Sequence, residues 1–234
     1  MGHPAAPGKE PHRWPAHLGE FYAHGSTHHL RIVTQTLLYL TTHAHTQAER
    51  STGSAHWRLS MQGERQAEIL AQQSFWAQVN RIILSSEPKT HLTVAPLLAL
   101  RPLPVTVDAR FDELIRPGWV EQYDEQVAQA FANPEEPAGD WEPARAALDR
   151  IVAGVADFCT RFAGQTLALV GHGLTLSLYR AHLLGQSHVV MDDWRRLSFA
   201  AVALVDPVAG RFLHDFQAVA GALPRGAAPP DLKK

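Results

Sequence analysis

Thr166-Leu167-Ala168-Leu169-Val170-Gly171-His172-Gly173 decides the fold. A β-prone, apolar run with no polar alternation reads as a strand buried on both faces, the habit of parallel sheets covered by helices. A histidine between two glycines closes it, and helical spacing then runs from about 174 to 184 and stops near Gly185. Upstream, residues 36–41 form a similar run that leads into Thr42-His43, and residues 81–84 form another that ends at Ser85-Ser86. Residues 104–107, 199–205 and 211–219 are read as further strands, and residues 62–76, 92–100 and 143–162 as helices. In the last of these, Pro143 suits a first-turn position. Leu148, Ile151, Val152, Val155, Cys159 and Phe162 then make one apolar stripe, so Cys159 is read as a small core residue. The alternation predicts an α/β three-layer sandwich, a mainly parallel sheet with helices on both faces. Sites in such sheets lie beyond the C-terminal strand ends, where His43 and His172 fall.

The rest of the chain frames this domain. Residues 1–34 are rich in Pro, Gly and His without periodicity and read as an irregular arm. Residues 35–220 are expected to form the α/β domain. Within it, residues 119–140, acidic and broken by Pro134 and Pro137, are expected to cap the catalytic edge. Residues 221–234 read as a tail. The formal net charge of −2 argues against a dedicated nucleic-acid binder. No apolar run approaches bilayer length and no signal-peptide pattern is read, so the expected location is cytoplasmic. A single cysteine leaves no internal disulfide and no Cys-based zinc cluster. The oligomeric state is not legible.

Around the two histidines the sequence resembles the histidine phosphatase superfamily, of phosphoglycerate-mutase-like fold. The His43 segment resembles the family's Arg-His-Gly motif, and Gly171-His172-Gly173 its later His-Gly pair. Leu59-Ser60-Met61-Gln62-Gly63-Glu64-Arg65-Gln66-Ala67 is similar to the segment that leads into its first helix. Ser85-Ser86-Glu87-Pro88-Lys89 is similar to its Ser-Ser loop, and Arg110-Phe111-Asp112-Glu113 with Gly118-Trp119-Val120-Glu121 to its acidic loop. The resemblance implies that His43 attacks phosphorus, that His172 faces it across the phosphoryl group, and that Glu113 protonates the leaving oxygen and then activates water. No cofactor and no metal are implied.

The pattern departs where the family holds its phosphate. Thr42 stands where the family has an arginine before the first histidine, and Thr90 where it has one beyond the Ser-Ser pair; Ala44 replaces a glycine and Glu49 an asparagine. An arginine brings a fixed fork of donors and a permanent charge, and a threonine brings one hydroxyl. A transition-state arginine can be worth ~10³–10⁵ in rate. Substrate contacts are therefore expected from Thr42, Thr90, Glu49, a substitute cation at Lys89, and Gly173, where a helix N-terminus offers N–H groups to an anion. Arg116, Arg50 and Arg58 are further candidate cations. The expected function is a family member with weak or absent phosphatase activity and a binding or assembly role. The alternatives are an active phosphomonoester hydrolase working through phospho-His43, and a metal-dependent hydrolase with His43, His172, Glu113 and Glu49 as ligand types, His45 and His91 nearby. A small phosphorylated molecule or another anion is the expected ligand; nucleic acid and membrane are not expected partners.

Overall fold

The computed structural model describes residues 35–219; the arm at 1–34 and the tail at 221–234 lie outside the described residues. The chain runs β1 (Leu37–Thr42), α1 (Met61–Ala71), β2 (Arg81–Leu84), α2 (Pro88–Leu100), β3 (Val105–Val107), α3 (Tyr123–Ala132), α4 (Ala144–Arg161), β4 (Thr166–Gly171), α5 (Gly173–Leu183), α6 (Met191–Arg196), β5 (Ala201–Asp206) and β6 (Arg211–Ala218). The strands form one sheet in the order β3-β2-β4-β1-β5-β6. The first four strands are parallel neighbours, β5 is antiparallel to β1, and β6 is antiparallel to β5.

Strand residues alternate between two cores, as the period of two requires. Leu38, Leu40, Ile83, Leu167 and Leu169 face a core built with α3, α4, α5 and α6. Tyr39, Ile82, Leu84, Ala168 and Val170 face a second core with α1 and α2. Helices cover both faces of the sheet, the predicted three layers.

Boundaries shift where turn chemistry outweighs apolar spacing. The helix predicted from residue 92 starts at Pro88, which occupies the first turn where its missing N–H costs nothing. The helix predicted over 62–76 stops at Ala71, and a separate 3-10 turn, Ser74–Gln78, follows. There Trp76 is buried and its indole N–H donates to the Leu70 carbonyl at 2.7 Å. α6 has no counterpart among the predicted elements.

Two glycines set how closely the site's elements approach. A Cβ on Gly63 would lie 1.9 Å from the His45 carbonyl oxygen, so only glycine lets the first turn of α1 press on the chain after β1. Ser60 caps that turn by accepting from the Gly63 N–H, and the Gln66 side chain accepts from the His45 N–H at 2.8 Å. On α4, a Cβ at Gly154 would lie 2.7 Å from the Phe111 ring, which anchors the loop that carries Glu113.

Candidate active site

The C-terminal ends of β1, β2 and β4 deliver His43, the 85–90 turn and His172 to one place. The His43 and His172 ring centroids are 5.3 Å apart, and both rings are buried. His43 Nδ1 lies 2.7 Å from the Ala44 carbonyl oxygen. A carbonyl only accepts, so Nδ1 carries the proton and a neutral ring has its lone pair on Nε2. His172 Nε2 lies 2.7 Å from Ser85 Oγ and 3.7 Å from the Glu87 carboxylate.

Glu113 is buried at the N-terminus of α5. One carboxylate oxygen accepts from the N–H groups of Leu114 and Thr175, both at 3.0 Å, and the other from the Leu174 N–H at 3.1 Å. The helix N–H groups that Gly173 introduces, expected to receive an external anion, therefore hold an internal one. Both oxygens serve as acceptors.

Lys89, expected as the substitute cation, is buried with its ammonium 2.6 Å from the Glu87 carboxylate. It also donates to the Ser54 carbonyl at 2.7 Å. Burial pushes the Glu87 carboxyl above its usual range, against the pull of Lys89, and pushes the Lys89 amine below its own. Glu87 further accepts from the Glu113 N–H at 2.7 Å. The Lys89 charge is thus offset by Glu87, whose carboxylate lies 3.7 Å from His172 Nε2.

The threonines at the two arginine positions are built into the backbone framework. Thr42 Oγ1 donates to the Ser198 carbonyl at 2.8 Å and accepts from the Ala201 N–H at 2.9 Å, tying β1 to the entry of β5. Thr90 Oγ1 donates to the Glu87 carbonyl at 2.9 Å and lies 3.1 Å from Ser85 Oγ. Both are fully buried. Glu49 is exposed, and its backbone carbonyl accepts from the Trp57 indole N–H. Of the other candidate cations, Arg50 is exposed and pairs with Glu121 at 2.9 Å, and Arg58 is exposed in a groove beside α1 and α2. Arg116 donates to Ser54 Oγ and Tyr123 Oη beside the pocket. His45 is held to Ser60 Oγ at 2.8 Å and His91 to the Ser85 carbonyl at 3.0 Å. Among the described residues no group of three or more His, Cys, Asp and Glu side chains is arranged to hold a metal ion.

A model of the histidine phosphatase superfamily (branch 1) matches residues 38–214. The chain belongs to the histidine phosphatase superfamily. Solved structures with the same fold include YhfR of Bacillus stearothermophilus, with 22% identity, TM-score 0.62, and coverage of 81% of this chain and 98% of that one. The alpha-ribazole phosphatase of Shigella flexneri gives 22% identity and TM-score 0.60, covering 78% and 96% of the two chains. A mutant phosphoserine phosphatase of Entamoeba histolytica, in complex with phosphoserine, gives 16% identity and TM-score 0.64, covering 80% and 98%. No curated protein sequence matches the chain. Within the described residues no helix is long and apolar enough to cross a membrane.

Two residues of this superfamily member escape a motif-based reading. Glu87 organises the pocket, yet in sequence it is only the residue after Ser85-Ser86. Arg150, on α4, donates to the carbonyls of Arg110, Asp112 and Glu113 at 2.9, 2.7 and 2.9 Å. It also forms a two-point pair with Glu142, at 3.0 and 2.9 Å, and so fixes the loop that carries Glu113. The available signal was a charged residue beside the apolar stripe of an amphipathic helix. Asp112 completes the framework by accepting from the Ser86 N–H and hydroxyl at 2.6 and 2.7 Å.

Proposed function

We propose that this chain is a histidine-phosphatase-fold protein in which phosphomonoester hydrolysis is weak or absent and which serves a binding or assembly role. The observation that carries this reading is the buried Lys89–Glu87 pair beside His172. A phosphate dianion needs a surplus of positive charge and free donors. Here Lys89 is already paired with Glu87, and the helix N–H groups already hold the Glu113 carboxylate. Thr42 and Thr90 supply no fork, and their hydroxyls are committed to backbone groups.

A second reading rests on the two rings at 5.3 Å. In it, His43 Nε2 forms a bond to phosphorus while the ester oxygen leaves with a proton from Glu113. Water then attacks phospho-His43, gives its proton to Glu113, and releases phosphate with the histidine restored. The complex of the Entamoeba phosphatase with phosphoserine is the precedent for a small phosphorylated ligand.

Hydrolysis of an aryl phosphate at neutral pH by wild type and His43→Ala, with chelator and with added divalent metals, separates the readings. The expected result is the same near-background rate in both proteins. Turnover of about 1 s⁻¹ or more in wild type, lost in His43→Ala with acid-labile phosphate trapped only on wild type, would establish the second reading. Activity that chelation removes would point to a metal.

A further inference from the structure

Arg116 forms no direct ion pair with a carboxylate among the described residues, although the charges of Glu113 and Glu87 lie close enough to favour its charged form. Its Nε donates to Ser54 Oγ at 3.0 Å and its Nη1 to Tyr123 Oη at 2.9 Å, two neutral hydroxyls, and Nη2 donates no hydrogen bond there. The guanidinium carbon lies 4.8 Å from the ring centroid of Tyr123, 5.6 Å from that of Trp141 and 5.9 Å from that of Trp57. Such faces attract a cation and hold its plane, but leave its N–H groups unsatisfied. Arg116 is part-buried, and a guanidinium drawn away from water is ordinarily matched by an anion in hydrogen-bond contact. Here no carboxylate of the described residues makes that contact.

Arg116 lines a cavity of 190 Å³ with Ser54, Ser86, Glu87, Asp112 and Glu113. A cavity of ~150 Å³ holds a molecule the size of benzene, so this one suits a compact metabolite-sized ligand. Its charges are uneven. Lys89 offsets Glu87, which leaves Asp112 and Glu113 against Arg116. A ligand that is only negative gains the guanidinium and meets two carboxylates. A ligand with a positive group as well gains from both ends.

We propose that this cavity binds a small zwitterion, its carboxylate or phosphate group on the Arg116 guanidinium and its ammonium beside Asp112 and Glu113. The recognition site has thereby moved off the histidine pair and onto the acidic loop. This inference deepens the binding role proposed above.

Calorimetry with β-alanine and phosphoethanolamine as zwitterions, acetate and inorganic phosphate as anions, and ethylammonium as cation tests it. At least one zwitterion should bind ten-fold or more tightly than its matched anion and than ethylammonium; which one shows whether carboxylate or phosphate is recognised. Arg116→Gln should weaken that binding at least ten-fold, with fold checked by circular dichroism. Asp112→Asn, which keeps the acceptor for the Ser86 N–H and lets its amide donate to the Ser86 hydroxyl instead, should bring zwitterion and anion affinities closer together. The proposal is overturned if no zwitterion binds, if the anions bind as tightly, or if neither variant alters the preference. Phosphate release from phosphoethanolamine in the same samples reports on hydrolysis alone, so the two proposals fail separately.

Discussion

The ammonium of Lys89 and the carboxylate of Glu87 lie 2.6 Å apart with both side chains buried. Removing two charges from water costs more than their attraction returns, unless further hydrogen bonds complete the pair. The shifts agree, since burial drives each group toward its neutral form.

Breaking the pair is therefore predicted to be costly and replacing it cheap. Lys89→Met should destabilise by about 3–5 kcal/mol, and Glu87→Gln with Lys89→Met should lie near wild type or above it. Urea denaturation of the three proteins at neutral pH checks this. The raised Glu87 value also fixes a sign. Its contribution is fully present below the ordinary carboxylate range and fades as pH rises through the raised folded value. Wild type should then lose stability relative to Glu87→Gln across that window as pH increases; a flat difference would contradict it.

Restoring arginines alone is predicted to fail. Thr42 and Thr90 are fully buried and hydrogen-bonded to the backbone. Thr42→Arg with Thr90→Arg must lose those bonds and overfill the pocket, at about 1–3 kcal/mol for each site. The pocket would still contain the Glu87 carboxylate. Adding Glu87→Gln should raise phosphate affinity at least ten-fold over the double variant, measured by calorimetry. Equal affinity in the double and triple variants would show that Glu87 is not the obstacle.

Arg150 is predicted to hold the acidic loop. Its guanidinium reaches three loop carbonyls and the Glu142 carboxylate. Hydrogen bonds to charged groups contribute about 1.5–3 kcal/mol each and are not additive, so Arg150→Met should cost about 3 kcal/mol. Hydrogen exchange should show the Glu113 and Leu114 amides losing protection while those of β4 keep it. Uniform loss across the sheet would mean that Arg150 supports the whole fold and not the loop.

Cys159 is predicted to be inert. Burial pushes its thiol up to about 11, so little thiolate exists at neutral pH. Iodoacetamide should label it only after unfolding in denaturant, as read by mass spectrometry. Fast labelling of the folded protein would contradict its place in the core.

The sheet was legible because its strands are uninterrupted apolar runs, and α4 because its stripe keeps a 3.6-residue period. His43, His172 and Glu113 could be expected together because each closes a run that matches a family motif. α6 was not legible: its six residues carry as apolar anchors only Trp194, buried, and Met191, partly buried, in a charged stretch, too short for a period to show. The early start of α2 was marked only by Pro88. Glu87 and Arg150 act through contacts between residues distant in sequence, Glu87 with Glu113 and Arg150 with three carbonyls of the acidic loop. No local pattern records those. A motif shows which residue types are present; whether Lys89 is available or already paired depends on where the chain folds Glu87.

The Glu113 carboxylate on the first turn of α5 has a last consequence, in how this protein responds to heat. A ligand raises a melting temperature by as much as its affinity for the folded state exceeds its affinity for the unfolded chain. Most phosphate sites leave helix N–H groups and cations unsatisfied until the ligand arrives, and gain visibly when it does. Here those N–H groups already hold a carboxylate from their own chain. A phosphate that reached for those N–H groups would have to compete with the Glu113 carboxylate for them. On the binding role proposed above, thermal-shift screening with phosphate should therefore see almost nothing at the histidine pocket.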